Sequence, residues 1–510
     1  MDSMTVAQKV GQLFVAPVGR HSPTALRLPP DQRSGAVHVD TVAATCELVE
    51  RYGLGGVCYF PSRAGGDDLD TVAELTRAVQ HAADVPLLVA TDQEGGTVAR
   101  LRVPELAVPG AMALAATGDT GAAREAARII ASALRSLGIN QNYAPVADVN
   151  VDPANPVIGV RSFGSDPQAV AAYVTAQVQG YQESGVAATV KHFPGHGDTS
   201  ADSHVGLPVV SHDHDRWREV DAPPFRAAIA AGVEAVMTAH LAMPALDPSG
   251  EPATMSPAIL GGLLRKELGF DGIVVTDALD MAGARERHGD AEAAVRALLA
   301  GADQLLMPAD LEVAVAAVIE AVESGRVSME RLDESVRRVL TLKRKLGLFD
   351  GLHYEVDSPT HPGGALRLAL AGVTTVGDFQ PLNGSVALVG CLGTGADALS
   401  GALGATKTVD TGSDPDAETV TAAAQAASGC DRAVVVTRSA WRWPGQKALL
   451  DAINVPFVGV AIREPYDAGL ASRARSWVLS YGDDALAIEA LGWVLTGHAT
   501  AGGRLPVDLP

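Results

Sequence analysis

Short apolar segments alternate with longer amphipathic segments through the first 310 residues of the chain. An apolar run of roughly four to eight residues is typical of a strand buried on both faces of a parallel sheet. The eight runs are Gln12–Val18, Gly55–Phe60, Pro86–Gln93, Asn140–Asn150, Val186–Gly195, Val233–His240, Gly272–Leu279 and Asp303–Asp310. Eight β-then-α units over roughly 300 residues predict a closed (β/α)8 TIM barrel. A doubly wound sheet is the competing fold, but no glycine-rich phosphate loop follows the first run.

The last third of the chain predicts a second, smaller α/β domain. A charged amphipathic segment ends at Leu346, and a stretch with Gly, Pro, His and Asp follows it. We therefore predict a catalytic barrel over 1–346, a linker over 347–364 and a three-layer α/β sandwich over 365–510. The strands expected in the second domain are Ser385–Gly390, Arg432–Arg438, Pro456–Ile462 and Ser476–Gly482.

The charge balance of the chain restricts its partners. Lys and Arg number 39 and Asp and Glu number 60, which gives a formal net charge of −21. Such an acidic protein repels nucleic acid and anionic membrane surfaces, so we expect neither as a partner. No run of about 18 apolar residues is present, and we expect no membrane-spanning helix.

The four cysteines and the N-terminal segment indicate a reducing compartment. Cys46, Cys58, Cys391 and Cys430 form no C-x-x-C pair and no close cluster, which argues against a disulfide scaffold and a structural zinc site. The first residues lack a basic segment followed by a long apolar one, so we expect no signal peptide. These features predict a cytoplasmic protein.

Polar residues collect where the predicted barrel strands end. In a (β/α)8 barrel those ends and the loops after them build the active site. The sequences concerned are Thr91–Gly96 after the third strand, Arg161–Gly164 after the fourth, Lys191–His204 from the fifth, His240 at the end of the sixth and Thr276–Asp280 at the end of the seventh. Carboxylates, imidazoles and basic groups from several strands are thus expected on one rim.

Two positions on this rim suit catalysis. Asp277 ends an apolar strand, where a carboxylate can act as a nucleophile or an electrostatic stabiliser, although an Asp there can also cap a helix. His204 follows Asp202 by two residues, and a carboxylate beside a histidine orients it and raises its basicity. A histidine suits a group that acts first as acid and then as base. The same pair could equally form a loop hydrogen bond without chemistry.

The segment KHFPGHGDTSADSH, residues 191–204, resembles the signature of family 3 glycoside hydrolases, in the subgroup of β-N-acetylglucosaminidases (β-N-acetylhexosaminidases). DQEGG at 92–96, RSFG at 161–164 and TDALDM at 276–281 also match that family, and the resemblance covers about 1–345. The terminal GGRLPVDLP is similar to the end of the family's second domain.

The resemblance implies a role for each matching residue. It makes Asp277 the catalytic nucleophile and His204 the general acid/base, with Asp202 as the partner that orients the histidine. It also implies a sugar-binding set, whose charged hydrogen bonds would hold the hydroxyls of the terminal sugar. That set is Asp92, Arg100, Arg161, Lys191 and His192. The glucosidase branch of the family carries Trp after the nucleophile, whereas this chain has Ala278.

The implied activity is a retaining, exo-acting hydrolysis of terminal β-linked GlcNAc in two steps. The substrate would be a cell-wall fragment (a muropeptide) or a chitooligosaccharide, and the reaction needs no metal and no organic cofactor. Three alternatives stay open. A phosphorylase would use phosphate as acceptor, because a neutral histidine repels this anion less than a carboxylate does. A metal hydrolase would use His192, His196, Asp198 and His204, and a non-catalytic protein would only bind sugar.

Overall fold

In the computed structural model, the described residues are 3–18, 37–60, 68–199, 206–351, 363–471 and 473–509. Two sheets organise this part of the chain. The strands, in chain order, are β1 Phe14–Val18, β2 Gly56–Tyr59, β3 Leu88–Thr91, β4 Gln93–Gly95, β5 Val98–Ala99, β6 Gln141–Asn142, β7 Ala187–Phe193, β8 Ala235–Thr238, β9 Ile273–Val275, β10 Leu305–Leu306, β11 Thr374–Gly377, β12 Val386–Gly390, β13 Lys407–Asp410, β14 Arg432–Thr437, β15 Phe457–Ala461 and β16 Ser476–Leu479.

The larger sheet is the predicted barrel. Its eight parallel strands follow the order β10-β1-β2-β3-β6-β7-β8-β9. A parallel bridge between Val275 and Gln304 joins the two outer strands, and the Thr276 N–H donates to the Gln304 carbonyl at 3.0 Å. Every residue of the barrel strands is buried, which explains why these strands, apart from β6, consist mainly of apolar residues. The (β/α)8 prediction is confirmed.

The fourth barrel strand is much shorter than expected. The apolar run Asn140–Asn150 predicted a long strand, yet β6 pairs only over Gln141–Asn142. Pro145 has no N–H to offer a ladder, and the chain leaves the regular sheet there. The rest of the run is buried irregular backbone that leads to the rim.

Helices surround the barrel and cover the second sheet. Those of the first region are Val6–Gly11, Val37–Tyr52, Leu69–His81, Ala111–Ala116, Thr120–Ser136, Pro167–Glu183, His214–Val220, Ala222–Ala230, Ala258–Glu267, Ala282–Arg285, Gly289–Ala300, Leu311–Glu323 and Met329–Lys345. Those of the second region are Gly364–Gly372, Ala396–Leu403, Ala417–Ser428, Pro444–Ala452 and Ala485–Leu495. Within the described ranges no helix is long and apolar enough to span a membrane.

The second sheet has six strands in the order β11-β16-β15-β14-β12-β13. All neighbours are parallel except β11 and β16, and apolar clusters cover both faces of the sheet. The four predicted strands are present, and the α/β sandwich prediction is confirmed. The structure adds β11 and β13, which the sequence analysis missed. Most of β13 is exposed, so it has no apolar run to detect. The predicted linker includes residues 352–362, which lie outside the described part, and the domain boundaries remain a prediction.

Candidate active site

A cavity of about 410 Å³ opens at the carboxyl ends of the barrel strands. Six of the predicted site residues line it, although they come from four separate parts of the chain: Asp92, Arg100, Arg161, Lys191, His192 and Asp277. His204 and Asp202 lie outside the described residues. The apolar part of the lining includes Phe60, Met237 and Leu306. We call this space the sugar cavity from here on, after the ligand that the family resemblance implies.

Four charged side chains form what we call the rim cluster: Asp92, Glu94, Arg161 and Lys191. The Lys191 Nζ lies 2.8 Å from Asp92 Oδ1 and 2.7 Å from Glu94 Oε1. Arg161 binds Glu94 through two bonds, Nε to Oε2 at 2.9 Å and Nη2 to Oε1 at 2.8 Å. Two cations thus hold two carboxylates in a fixed, buried arrangement.

The rim cluster keeps its members ionised. Burial alone would raise the pKa of Asp92 and Glu94, but Lys191, with Arg100 at Asp92 and Arg161 at Glu94, holds both pKa values below their usual range. Burial alone would lower the pKa of Lys191, and the two carboxylates raise it instead. All of these groups are therefore charged near neutral pH and present charge-assisted hydrogen bonds to a ligand.

Arg100 completes this side of the cavity. Its Nη2 donates to Asp92 Oδ2 at 3.3 Å, and its guanidinium lies over the Phe60 ring, 4.5 Å from the centroid. The Arg100 Nε is buried and has no hydrogen-bond partner. A buried donor without a partner is costly in free energy, so this N–H is available to a ligand that enters the cavity.

His192 is held by Asp148, a carboxylate to which the sequence analysis assigned no role. The His192 Nδ1 donates to Asp148 Oδ2 at 2.7 Å, and the backbone N–H groups of His192 and His196 donate to Asp148 Oδ1. Burial alone would raise the pKa of Asp148, but these partners lower it. With Nδ1 occupied, His192 presents its Nε2 edge to the cavity.

Asp277 lies two residues beyond the end of β9 and contributes to the lining of the cavity. Its Oδ1 accepts the Ala278 N–H at 2.8 Å. Burial alone would raise the pKa of Asp277, but the imidazoles of His192 and His240 and the Ala278 N–H hold it below the usual range. The next helix begins at Ala282 with Met281 as its N-cap, so Asp277 is not a helix cap.

His196 and His240 support the cavity as neutral groups. The His240 Nε2 donates to the Ala278 carbonyl at 3.0 Å, which fixes the backbone beside Asp277. Burial lowers the pKa of His240, and burial lowers the pKa of His196 to about 4. The His196 Nδ1 lies 2.8 Å from Thr199 Oγ1. Among the described residues, no group of three or more His, Cys, Asp or Glu side chains is arranged to hold a metal ion.

The sequence analysis placed Glu94 on the rim, within Thr91–Gly96, but assigned it no role in the site, although a signal for one existed. Glu94 lies two residues after Asp92, and alternate residues of an extended segment point to the same side. Gln93 points the other way and binds the backbone of Arg100 and Leu101. Asp148 carried no such signal, because its partner His192 is 44 residues away.

The chain matches the model described as "Glycosyl hydrolase family 3 N terminal domain" over residues 5–342. The chain belongs to glycosyl hydrolase family 3. This agrees with the family that the motifs of the sequence resemble.

Similar proteins extend the match beyond the barrel. A family 3 β-N-acetylglucosaminidase from Paenibacillus sp. str. FPU-7 has a solved structure that superimposes with a TM-score of 0.88 at 37% identity, over 99% of both chains. "Beta-N-acetylglucosaminidase/beta-glucosidase" from Cellulomonas fimi is 32% identical over 86% of each chain. "Beta-hexosaminidase A" from Pseudoalteromonas piscicida is 41% identical over 65% of this chain. That match spans only 60% of the length of the Pseudoalteromonas protein.

Proposed function

We propose that this family 3 protein is a retaining exo-β-N-acetylglucosaminidase, which hydrolyses terminal β-linked GlcNAc from cell-wall fragments or chitooligosaccharides. One observation carries the proposal: an ionised carboxylate, Asp277, shares a cavity with the charged rim cluster. The names of the relatives from Paenibacillus and Cellulomonas include β-N-acetylglucosaminidase, which supports GlcNAc as the terminal sugar.

The proposed mechanism has two steps. Asp92, Arg100, Arg161, Lys191 and His192 hold the hydroxyls of the terminal sugar in the sugar cavity. Asp277 attacks the anomeric carbon, and His204, oriented by Asp202, protonates the oxygen that leaves. Water then attacks the glycosyl-Asp277 ester, and His204 removes the proton from that water. The low pKa of Asp277 supports its role as nucleophile, because only the carboxylate form can attack.

The first experiment compares 4-nitrophenyl β-glycosides of GlcNAc and glucose, with and without phosphate. We expect preferential cleavage of the GlcNAc glycoside, with β-GlcNAc as the first product by NMR in both buffers. Preference for glucose would contradict the proposal. Formation of GlcNAc 1-phosphate would instead support the phosphorylase alternative.

The second experiment tests the role of His204 by comparing substrates whose leaving groups differ in basicity. An acid is needed in proportion to the basicity of the leaving group. His204→Ala should therefore lose activity on a natural disaccharide, while an aryl glycoside still forms the glycosyl-enzyme and shows a burst. Azide needs no base and should restore turnover, giving a β-glycosyl azide, and Asp202→Asn should show a milder form of the same defect.

The control for this experiment is His81→Ala, since His81 is an exposed histidine at the end of the helix Leu69–His81. Its two activities should stay unchanged. Equal loss of both activities in His204→Ala, with no response to azide, would exclude His204 as the acid/base.

We also propose a cytoplasmic location. Each of the four cysteines is a free thiol, and Cys58, Cys391 and Cys430 are buried. Free thiols of this kind are typical of a reducing compartment. Fractionation of the cells that produce the protein tests this, and recovery in the extracellular fraction would contradict it.

A further inference from the structure

A second cavity, of about 870 Å³, lies between the barrel and the second domain and joins the sugar cavity. We call it the interdomain cleft. Six barrel residues line both spaces: Thr97, Val98, Ala99, Arg102, Val157 and Arg161. The opposite wall comes from the second domain and includes Arg438, Arg463 and Leu486. The cleft has about twice the volume of the sugar cavity, so it can hold a group larger than one sugar.

The two walls of the cleft are held together by contacts outside it. Asn150 Nδ2 donates to Tyr466 Oη at 2.7 Å, and the Arg504 N–H donates to the Ala116 carbonyl at 2.7 Å. Residues of both domains, among them Met112 and Tyr481, also belong to one buried apolar cluster. The cleft is therefore a fixed feature of the folded chain.

The position of the cleft matters for an exo-acting glycosidase. The terminal sugar fills the cavity that holds Asp277, and the rest of the substrate must continue through its opening. The cleft adjoins that opening and shares its lining residues. A leaving group bonded to the terminal sugar would therefore lie in the cleft.

Two arginines of the cleft have hydrogen-bond donors to spare. Arg102 lies at the junction of the two cavities; its Nη2 donates to the Thr97 carbonyl at 3.3 Å, and within the described residues it has no carboxylate partner. The Arg463 Nε is buried without a hydrogen-bond partner, although it makes an ionic contact with Glu464 at 3.0 Å. A guanidinium with unfilled donors suits a carboxylate, which it can bind through two parallel bonds.

The remaining charges of the cleft are already engaged or peripheral. Arg438 pairs with Asp483 at 2.7 Å. Asp484 accepts the N–H groups of Leu486 and Ala487 as the cap of a helix, and Glu489 is exposed. Of the four arginines that line the cleft, Arg102 and Arg463 are thus the two that form no hydrogen bond to a carboxylate within the described residues, since the contact of Arg463 with Glu464 lacks hydrogen-bond geometry.

We propose that the interdomain cleft is the leaving-group subsite, and that Arg102 and Arg463 select a leaving group that carries a carboxylate. This inference rests on the proposed function and deepens it. It also gives the second domain a role in substrate choice, since one of the two arginines belongs to that domain.

The test uses one disaccharide in two charge states: GlcNAc-β-1,4-N-acetylmuramic acid and its methyl ester. They differ in the negative charge of the lactyl group and in the one methyl group that removes it. We expect the native protein to prefer the acid by roughly tenfold in kcat/KM, the effect of one charge-assisted hydrogen bond. Arg102→Gln and Arg463→Gln should bring this preference close to one, and Arg102→Lys should retain part of it.

Arg473→Gln is the matched control, because Arg473 is an exposed arginine of the second domain that does not line the cleft. It should retain the preference for the acid. Equal rates of the native protein on acid and ester, or a preference that survives in both glutamine variants, would overturn the inference. The 4-nitrophenyl glycoside of GlcNAc separates the two proposals, because failure to cleave it would contradict the proposed function, whereas cleavage without charge preference contradicts only the inference.

Discussion

The barrel buries two clusters of charged side chains, one at each end, and the cluster at the carboxyl ends of the strands lines the sugar cavity. At the amino ends of the strands, Asp303 is fully buried and accepts bonds from three arginines, from the Ser335 hydroxyl and from the Val274 N–H. We call these groups the base cluster; its arginines are Arg265, Arg331 and Arg338. The rim cluster, at the carboxyl ends, combines a similar number of charges around the sugar cavity.

The two clusters differ in the number of hydrogen-bond donors and acceptors that the protein itself leaves unused. Both Asp303 oxygens are saturated by protein donors, so the base cluster has no acceptor to offer a ligand. In the rim cluster, the Lys191 Nζ carries three N–H donors but has two carboxylate partners. The nearby Arg100 Nε has no hydrogen-bond partner. A buried charge must be paired in either place. What distinguishes a site from a structural network is therefore the spare hydrogen-bonding capacity, and the following predictions test this.

The largest effect is expected at Asp277. Asp277→Ala removes the group proposed to bond to the sugar, so kcat on an aryl GlcNAc glycoside should fall by at least roughly 10⁴-fold. Stability should change little, because within the described residues the Asp277 side chain accepts one hydrogen bond, from the Ala278 N–H. A mechanism-based 2-deoxy-2-fluoro glycoside should label Asp277 in the native protein, as mass spectrometry of peptides can show. Labelling of the nearby Asp280 would refute the assignment.

The second effect concerns folding rather than rate. Asp303→Ala leaves three buried guanidinium groups without their shared carboxylate, so we expect a loss of about 3–5 kcal/mol in the free energy of unfolding. Urea denaturation measures this. Asp451→Ala is the control, because Asp451 forms an exposed i,i+4 pair with Lys447 and its loss should cost less than about 0.5 kcal/mol. Similar losses in both variants would show that the base cluster is not a stability element.

The third effect concerns ligand binding at the rim. Lys191→Ala removes one cation that the rim cluster presents to the sugar, and GlcNAc binding should weaken by about 1.5–3 kcal/mol. Calorimetric titration with GlcNAc measures the change. Lys266→Ala, on the exposed surface of the barrel, should bind GlcNAc like the native protein. Unchanged KM and unchanged product inhibition in Lys191→Ala would remove Lys191 from the sugar site.

The sequence could predict the rim but not the base cluster. Rim residues follow strands whose apolar runs are easy to recognise, and parallel strands bring their ends together, so Asp92 and Asp277 could be located in advance. The base cluster joins residues from a strand start and from two helices, and Asp303 is 28 and 35 residues from Arg331 and Arg338. The sequence of a charged helix does not reveal whether a given arginine side chain points toward the barrel or toward solvent.

Partners were harder to predict than positions. The sequence analysis found Arg161, but its bidentate partner Glu94 is 67 residues away, and only the folded chain brings the two together. The edge strand β13 was not predicted for a related reason. Hydrophobic periodicity detects buried strands, and most of β13 is exposed although it pairs by hydrogen bonds. The interdomain cleft depends on the docking of two domains, which no local pattern encodes.

The smallest effect is a pH dependence at the base of the barrel, where Lys343 is fully buried in the helix Met329–Lys345. Its Nζ donates to Gln12 Oε1 at 2.6 Å, and no carboxylate pairs with it among the described residues. Burial lowers the pKa of Lys343 to about 7. In the base cluster the buried charge of Asp303 is balanced by three arginines, whereas the partner of Lys343 is a neutral amide.

The sign of the effect follows from proton binding in the two states. Between pH 7 and the ordinary lysine pKa, the unfolded chain holds the proton and the folded chain has released it, so this group makes stability rise with pH. From pH 7 to pH 8.5 the contribution is about 1–2 kcal/mol in the free energy of unfolding. Lys343→Met keeps the apolar volume and removes the charge, so its urea midpoints should lack this rise. Lys345→Met, two residues along the same helix and exposed, should retain it. If Lys343→Met and the native protein change equally with pH, Lys343 is not the origin of the dependence.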